Sequence, residues 1–282
     1  MRALVLGATG FIGRHLTRAL RNRGDTVVEA SLRDPAAAAS AAAGCHAIVN
    51  LAGEPIAQRW TQRVKERLES SRIDLPRRFL DQLARSPEQP RTYVSPSGVD
   101  YYGTSETETF DESSPPGDGF LSRVCVAWER EALRAGDLGM RVCILRTGVV
   151  LGTDGGALRK MLLPFRMGAG GVIGSGKQWL SWIHVGDLVD IYLIAIDRAS
   201  GIIDATAPNP VTNAQFTHAL GAALHRPTFL PTPTMALRMM LGEGVDLLLK
   251  GQRVLPKRVV EEYGYAFKYP TIAEALRNLL AA

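Results

Sequence analysis

An α/β protein, a doubly wound parallel sheet with a smaller C-terminal lobe, is the architecture this sequence predicts, and three observations predict it. Short apolar runs alternate with amphipathic helical stretches through the first 150 residues. A glycine cluster, Gly7-Ala8-Thr9-Gly10-Phe11-Ile12-Gly13, stands between the first apolar run and the first helical stretch. Beyond residue 150 the alternation loosens into sequence rich in Gly and punctuated by Pro, which marks a different kind of packing.

In order, residues 2–6 read as a strand and 11–23 as a helix, because Ile12, Leu16 and Leu20 recur every fourth residue and Gly24 is placed to end it. A strand follows at 26–32, then a minimal Ala-rich helix over about 35–43, barely long enough for a parallel return. Next come a strand at 46–51, a long helix over 59–85, a strand at 91–95, a helix at 121–136 and a strand at 141–147. After residue 150 the chain passes through "MGAGGVIGSGKQW" and "WIHVGDLVDIYLIAI" to a strand, "GIIDAT", and to helical segments from Thr212 to Leu224 and from Thr234 onward. Pro227, Pro231 and Pro233 read as a hinge-like linker before the last helices.

The glycine cluster has the form GxxGxxG. Gly7 allows a tight turn, Gly10 lets the backbone approach a pyrophosphate, and Gly13 lets helix and strand pack closely, while Thr9, Phe11 and Ile12 complete the loop. Helix N-terminal N–H groups then face the anion. Residues 1–150 are therefore expected to bind a dinucleotide on a Rossmann sheet. Residues 151–282 form a substrate-side lobe, interleaved with the first domain through 183–206 and ending in a helical segment, 234–282. The end of the second strand selects the cofactor, since an acidic side chain there accepts from a ribose hydroxyl and an arginine meets a 2′-phosphate. Ser31 and Arg33 occupy that place, with Glu29 inside the strand, so NADP(H) is favoured over NAD(H). The stretch Gly171–Lys177 approaches a P-loop, but Gln178 stands where a magnesium-binding Ser or Thr is required.

Composition narrows the classes. With 282 residues, 46% of them apolar, the chain can bury a large core and a small one. A net charge of +5 is spread over helix faces, as at Arg14, Arg18, Arg21 and Arg23, which argues against a nucleic-acid surface. Cys45, Cys125 and Cys143 lie far apart without CxxC spacing, so neither a disulfide framework nor a metal site is expected, and a reducing cytoplasm fits. No apolar run approaches the roughly 20 residues of a membrane span, and no targeting segment is expected.

Along nearly its whole length the chain resembles the extended short-chain dehydrogenase/reductase superfamily, in "GATGFIG", "NLAG" at 50–53, "VSPSGVDYYG" at 94–103, "LRTGVVLG" at 145–152 and "WIHVGDLV" at 182–189. "NLAGEPI", "SRID", "MLLPFRMG", "QWLSWIHV" and "LLLKGQRVLP" are similar to one atypical branch, known as NAD-dependent epimerase/dehydratase family proteins or nucleoside-diphosphate sugar epimerases with a family-specific C-terminal domain. The resemblance implies that Leu51, Ala52 and Gly53 pass under the adenine and ribose, and that Ser95 and Gly148 lie near the nicotinamide.

It also implies a Tyr-x-x-x-Lys pair for proton transfer, which this chain lacks. Anchored on Glu129, the tyrosine position is Leu121 and the lysine position Cys125. Ser97 matches the catalytic serine, and Tyr101 and Tyr102 follow it; either tyrosine donates a proton in place of the missing one, with Arg72 or His184 assisting, or both pack against the substrate lobe. Leu180 stands where nucleotide-sugar enzymes carry a diphosphate-pairing arginine, a charge-assisted contact worth about 1.5–3 kcal/mol. Phe165, Met167, Trp179 and Trp182 point instead to an apolar or aromatic ligand. Two classes remain: an NADP(H)-dependent oxidoreductase or epimerase-like enzyme acting on an unidentified small molecule, and a non-catalytic NADP(H)-binding sensor read by a protein partner.

Overall fold

In the computed structural model, which describes residues 1–229 and 232–281, the central element is a six-stranded parallel sheet. Its strands are β1 (Arg2–Leu6), β2 (Thr26–Ala30), β3 (Ala47–Asn50), β4 (Thr92–Gly98), β5 (Arg141–Thr147) and β6 (Gly201–Ala205), in the spatial order β6-β5-β4-β3-β1-β2. The order reverses between β1 and β3, so a crevice opens at their C-terminal ends, where ligands bind in open sheets of this type. Strand alternation sends Ala3 and Val5 to one face and Leu4 and Leu6 to the other, and both faces are dry. Helices α1 (Phe11–Asn22) and α7 (Val185–Asp197) cover the first face. Helices α2 (Pro35–Ala41), α4 (Asp74–Leu83) and α5 (Phe120–Asp137) cover the second.

Two departures from the expected elements shape the crevice. The helix expected over 59–85 is two helices, α3 (Gln62–Arg72) and α4, broken at Ile73. Pro76 falls in the first turn of α4, where a missing N–H costs nothing, and the break leaves Arg72 at the inner end of α3. Strand β4 runs three residues past the expected end at 95, paired with β5 as far as Gly98 opposite Thr147, which keeps Ser97 at the C-terminal end of the strand.

Helix α6 (Gly156–Arg166) and helix α8 (Asn213–Ala223) form the second lobe with the terminal helix Ile272–Leu280, around Leu158, Leu162, Phe165, Trp182, Phe216, Leu220 and Leu276. Short strand pairs, Val149–Leu151 with Trp182–His184 and Thr109–Phe110 with Arg253–Val254, stitch this lobe to the sheet. Asp187 on α7 accepts hydrogen bonds from the Tyr265 hydroxyl at 2.7 Å and the Lys268 backbone N–H at 2.9 Å, which holds the C-terminal segment down. The region from Thr234 onward is a series of short helices rather than one run. Of the proline linker, Pro231 lies outside the described residues. Residues 171–177 form a turn with Gly174 and Gly176 at φ 59° and 70°, and no helix follows.

Candidate active site

The glycine loop is built as a close-approach cradle. Gly7 has φ 82°, and a Cβ there would lie 2.8 Å from the Leu51 carbonyl and the Ala52 nitrogen. A Cβ on Gly13 would collide with the Gly7 carbonyl oxygen, so helix and strand can pack this tightly only with glycine. Gly10 caps α1 with its N–H on the Gly7 carbonyl at 3.0 Å and no side chain over it, and Thr9 and Gly10 are exposed. The first-turn N–H groups of Phe11, Ile12 and Gly13 have no acceptor within the helix, which is an anion site's construction. The Phe11 ring packs against the loop at 152–156, where a Cβ on Gly152 would lie 2.6 Å from it. Ser31 and Arg33 are exposed just past β2, while Glu29 is paired with Arg21 at 2.8 Å.

At the C-terminal end of β4 and β5 lies a buried polar cluster. Arg146, 1% exposed, donates from Nε and Nη2 to the two carboxylate oxygens of Glu129, each at 2.8 Å. Its Nη1 donates to the Tyr102 hydroxyl at 2.9 Å, and that hydroxyl donates to Asp204 at 2.8 Å. Ser97 donates to Glu129 Oε1 at 2.7 Å. The Arg146 guanidinium lies 3.3 Å from the Tyr101 ring centroid. Burial alone would lower the Arg146 pKa, but the Glu129 hydrogen bond and the nearby charges outweigh it and hold it up. Burial and then the Asp204 charge push Tyr102 up, and burial and then Glu112 raise Asp204 well above the carboxylate range. Tyr101 is half-buried and Tyr102 buried. Ser95 is buried with its hydroxyl on the Pro96 carbonyl, and Gly148 lies where a Cβ would meet the Ser181 carbonyl oxygen at 2.6 Å.

Residues 3–205 match the sequence profile of the NAD dependent epimerase/dehydratase family, and residues 232–279 match a domain of unknown function, DUF1731. The chain belongs to the NAD dependent epimerase/dehydratase family. It is 42% identical to the Arabidopsis thaliana epimerase family protein SDR39U1 homolog, chloroplastic, over 99% of this chain and 87% of that protein. A crystal structure of human epimerase family protein SDR39U1 with NADPH superposes with a TM-score of 0.91 at 38% identity, covering 100% of this chain and 99% of the human one. A Corynebacterium glutamicum nucleoside-diphosphate sugar epimerase structure is similar at 32% identity and a TM-score of 0.80, over 99% of this chain and 58% of that one.

Against the family's usual Tyr-x-x-x-Lys, Leu121 and Cys125 stand on the face of α5 that meets β4, and burial pushes the Cys125 thiol up to about 12. His184 is the N-cap of α7, its Nδ1 accepting from the Gly186 N–H at 2.9 Å, with its ring on Tyr269. The apolar and aromatic residues expected to line a ligand site do not gather in one: Trp182 and Phe165 are core of the second lobe, Met167 faces solvent, and Trp179 is half-buried with its indole N–H on the Glu106 carbonyl at 2.8 Å. The spacing of Phe165 and Trp182 satisfies the lobe's own packing. Glu129, Arg146 and Asp204 come from three separate elements, so no local sequence pattern groups them. The one signal was a charged residue inside an apolar strand, Arg146 in "CILRT".

Proposed function

We propose that this chain is an NADP(H)-dependent oxidoreductase or epimerase-like enzyme of the cytoplasm, acting on a small molecule that is not a nucleotide sugar. The observation that carries the cofactor reading is the pairing at the end of β2: Glu29 is occupied by Arg21, whereas Ser31 and Arg33 stand exposed beside the glycine cradle. The cradle's geometry fits a pyrophosphate, and the human relative's crystal structure is one with NADPH. When bound, the cofactor supplies two-electron chemistry at a carbonyl or carbinol carbon. Toward it, the first turn of α1 receives the pyrophosphate and Ser31 with Arg33 receives the 2′-phosphate. Leu51, Ala52 and Gly53 underlie the adenosine half, and Ser95 and Gly148 border the nicotinamide half.

Ser97 and Tyr102 then act as positioning residues, because each hydroxyl is engaged by Glu129, Arg146 or Asp204. Tyr101 is the tyrosine left to orient a substrate carbonyl. Leu180, held in a strand pair with Val211, offers no charge to a diphosphate, which supports a substrate other than a sugar nucleotide. Many arginines are already paired, Arg77 with Glu131 and Arg134 with Asp81 among them, which weighs against nucleic acid. Among the described residues no helix is long and apolar enough to cross a membrane. Cys45, Cys125 and Cys143 are free, in keeping with a reducing compartment.

Fluorescence titration tests the cofactor reading. NADPH should bind more tightly than NADH, and Arg33→Ala should cut the preference by roughly ten- to a hundredfold, the value of one charge-assisted contact. An unchanged ratio removes Arg33 from the site. NADPH binding without oxidation by any member of a broad carbonyl panel would shift the conclusion to a cofactor-dependent sensor.

A further inference from the structure

The missing Tyr-x-x-x-Lys leaves a chemical question that the same corner of the crevice answers. Arg72 is only 8% exposed and lies at the inner end of α3. Its guanidinium donates to the Leu68 carbonyl at 3.3 Å, the Ser71 hydroxyl at 3.3 Å and the Glu54 carbonyl at 3.0 Å. Among the described residues no carboxylate comes within ion-pair distance of it, and a buried cation left so is costly. Its Nη2 lies 3.5 Å from where a Cβ on Gly53 would sit, beside the loop that leaves β3. Its Cζ lies 5.1 Å from the Trp128 ring of α5.

Asp100 comes to α5 from β4. It follows the strand by two residues, and the turn that carries it is pinned by Ser122 of α5, whose hydroxyl donates to the Asp100 carbonyl at 2.7 Å. A Cβ on Gly98 would lie 3.4 Å from Asp100 Oδ2 and 3.7 Å from Cys125 Sγ. The carboxylate therefore stands against the position that the family fills with lysine.

We propose that Arg72 and Asp100 replace the absent dyad, Arg72 holding the cofactor just past Gly53, where the adenosine half gives way to the nicotinamide half, and Asp100 exchanging the proton with the substrate. This rests on the cofactor reading above. In the reducing direction the Asp100 carboxyl gives its proton to a carbonyl oxygen as the carbonyl carbon takes a hydrogen with its electron pair from the reduced nicotinamide. The products are an alcohol, the oxidised cofactor and an Asp100 carboxylate, which recovers a proton from water. Burial pushes the Asp100 carboxyl up to about 6, with its own N–H and Arg72 holding it from going higher. That suits a group that must be both acid and base near neutrality. The charged and titratable groups that bear on this corner are Arg72 from α3, Glu54 from the loop after β3, and Cys125 and Glu129 from α5.

Calorimetric binding to the whole protein separates these roles without any substrate. Arg72→Met should weaken NADPH by about ten- to a hundredfold while leaving adenosine 2′,5′-bisphosphate, which lacks the nicotinamide half, within about twofold. Arg72→Lys should recover most of the loss. Oxidised nicotinamide carries a positive charge that reduced nicotinamide lacks, so ionised Asp100 favours NADP⁺. The ratio of NADP⁺ to NADPH affinity should rise as pH passes upward through about 6 in the wild type and stay flat in Asp100→Asn. The 2′-phosphate titrates in the same range but is common to both ligands, so it cancels in the ratio. Equal losses for NADPH and the bisphosphate in Arg72→Met, no loss for either, or a pH dependence that survives Asp100→Asn would overturn the assignment. Wild-type protein that binds neither ligand overturns the cofactor reading itself, and this inference with it.

Discussion

Two arginines are buried at the same edge of the sheet, both against α5, and they are treated in opposite ways. Arg146 meets both oxygens of Glu129 and the Tyr102 hydroxyl, with Ser97 adding a further hydrogen bond to the carboxylate. Arg72 donates to two backbone carbonyls and one hydroxyl and lies beside the Trp128 ring, and among the described residues it meets no carboxylate. A buried charge whose partners are all supplied by the chain belongs to the architecture, because removing one partner strands the other in a medium that cannot solvate it. A buried charge without a counter-charge keeps its attraction for whatever enters. The difference separates a cluster that fixes where β4, β5 and α5 sit from a corner left to act on a ligand.

The sharpest way to break this comparison is Arg146→Met. It should lower stability by about 3–5 kcal/mol, since Glu129 would remain buried without its cation, and urea denaturation in the absence of cofactor reads it directly. A loss under about 1 kcal/mol would mean that the cluster does not hold the sheet edge together. A smaller effect is expected from Ser97→Ala, about 1 kcal/mol for one hydrogen bond to a carboxylate that Arg146 still satisfies. The same variant should leave NADPH affinity unchanged, and a tenfold drop would show that Ser97 touches the cofactor. The smallest change belongs to Arg72→Met. Without cofactor its denaturation midpoint should stay within the equivalent of about 1 kcal/mol of the wild type, or rise, because an unpaired buried cation gives way to an apolar side chain of similar length. A loss as large as that of Arg146→Met would erase the distinction between the two arginines.

The amino-acid sequence by itself determined the sheet, its order of strands and helices, and the glycine cradle. These depend on local quantities: the alternation of Leu4 and Leu6 against Ala3 and Val5, the fourth-residue spacing of Ile12, Leu16 and Leu20, and glycines three apart. The family was legible for the same reason, since its motifs are contiguous. The break at Ile73 was not, because Pro76 is tolerated in a first helical turn and no local rule required a second helix to start there. Nor was the length of β4, whose last residues are held by pairing with a strand more than forty residues away in sequence. Sequence matching made Ser97 and Tyr102 candidate catalytic groups and placed Cys125 at the lysine position. Only tertiary structure set Ser97 and Tyr102 on Glu129, Arg146 and Asp204, and set Arg72 and Asp100 beside Cys125. Which ion finds a partner and which does not is decided by side chains from α3, β4, α5, β5 and β6 meeting in space, and in a low-dielectric interior that pairing sets both the stability and the chemistry of the group.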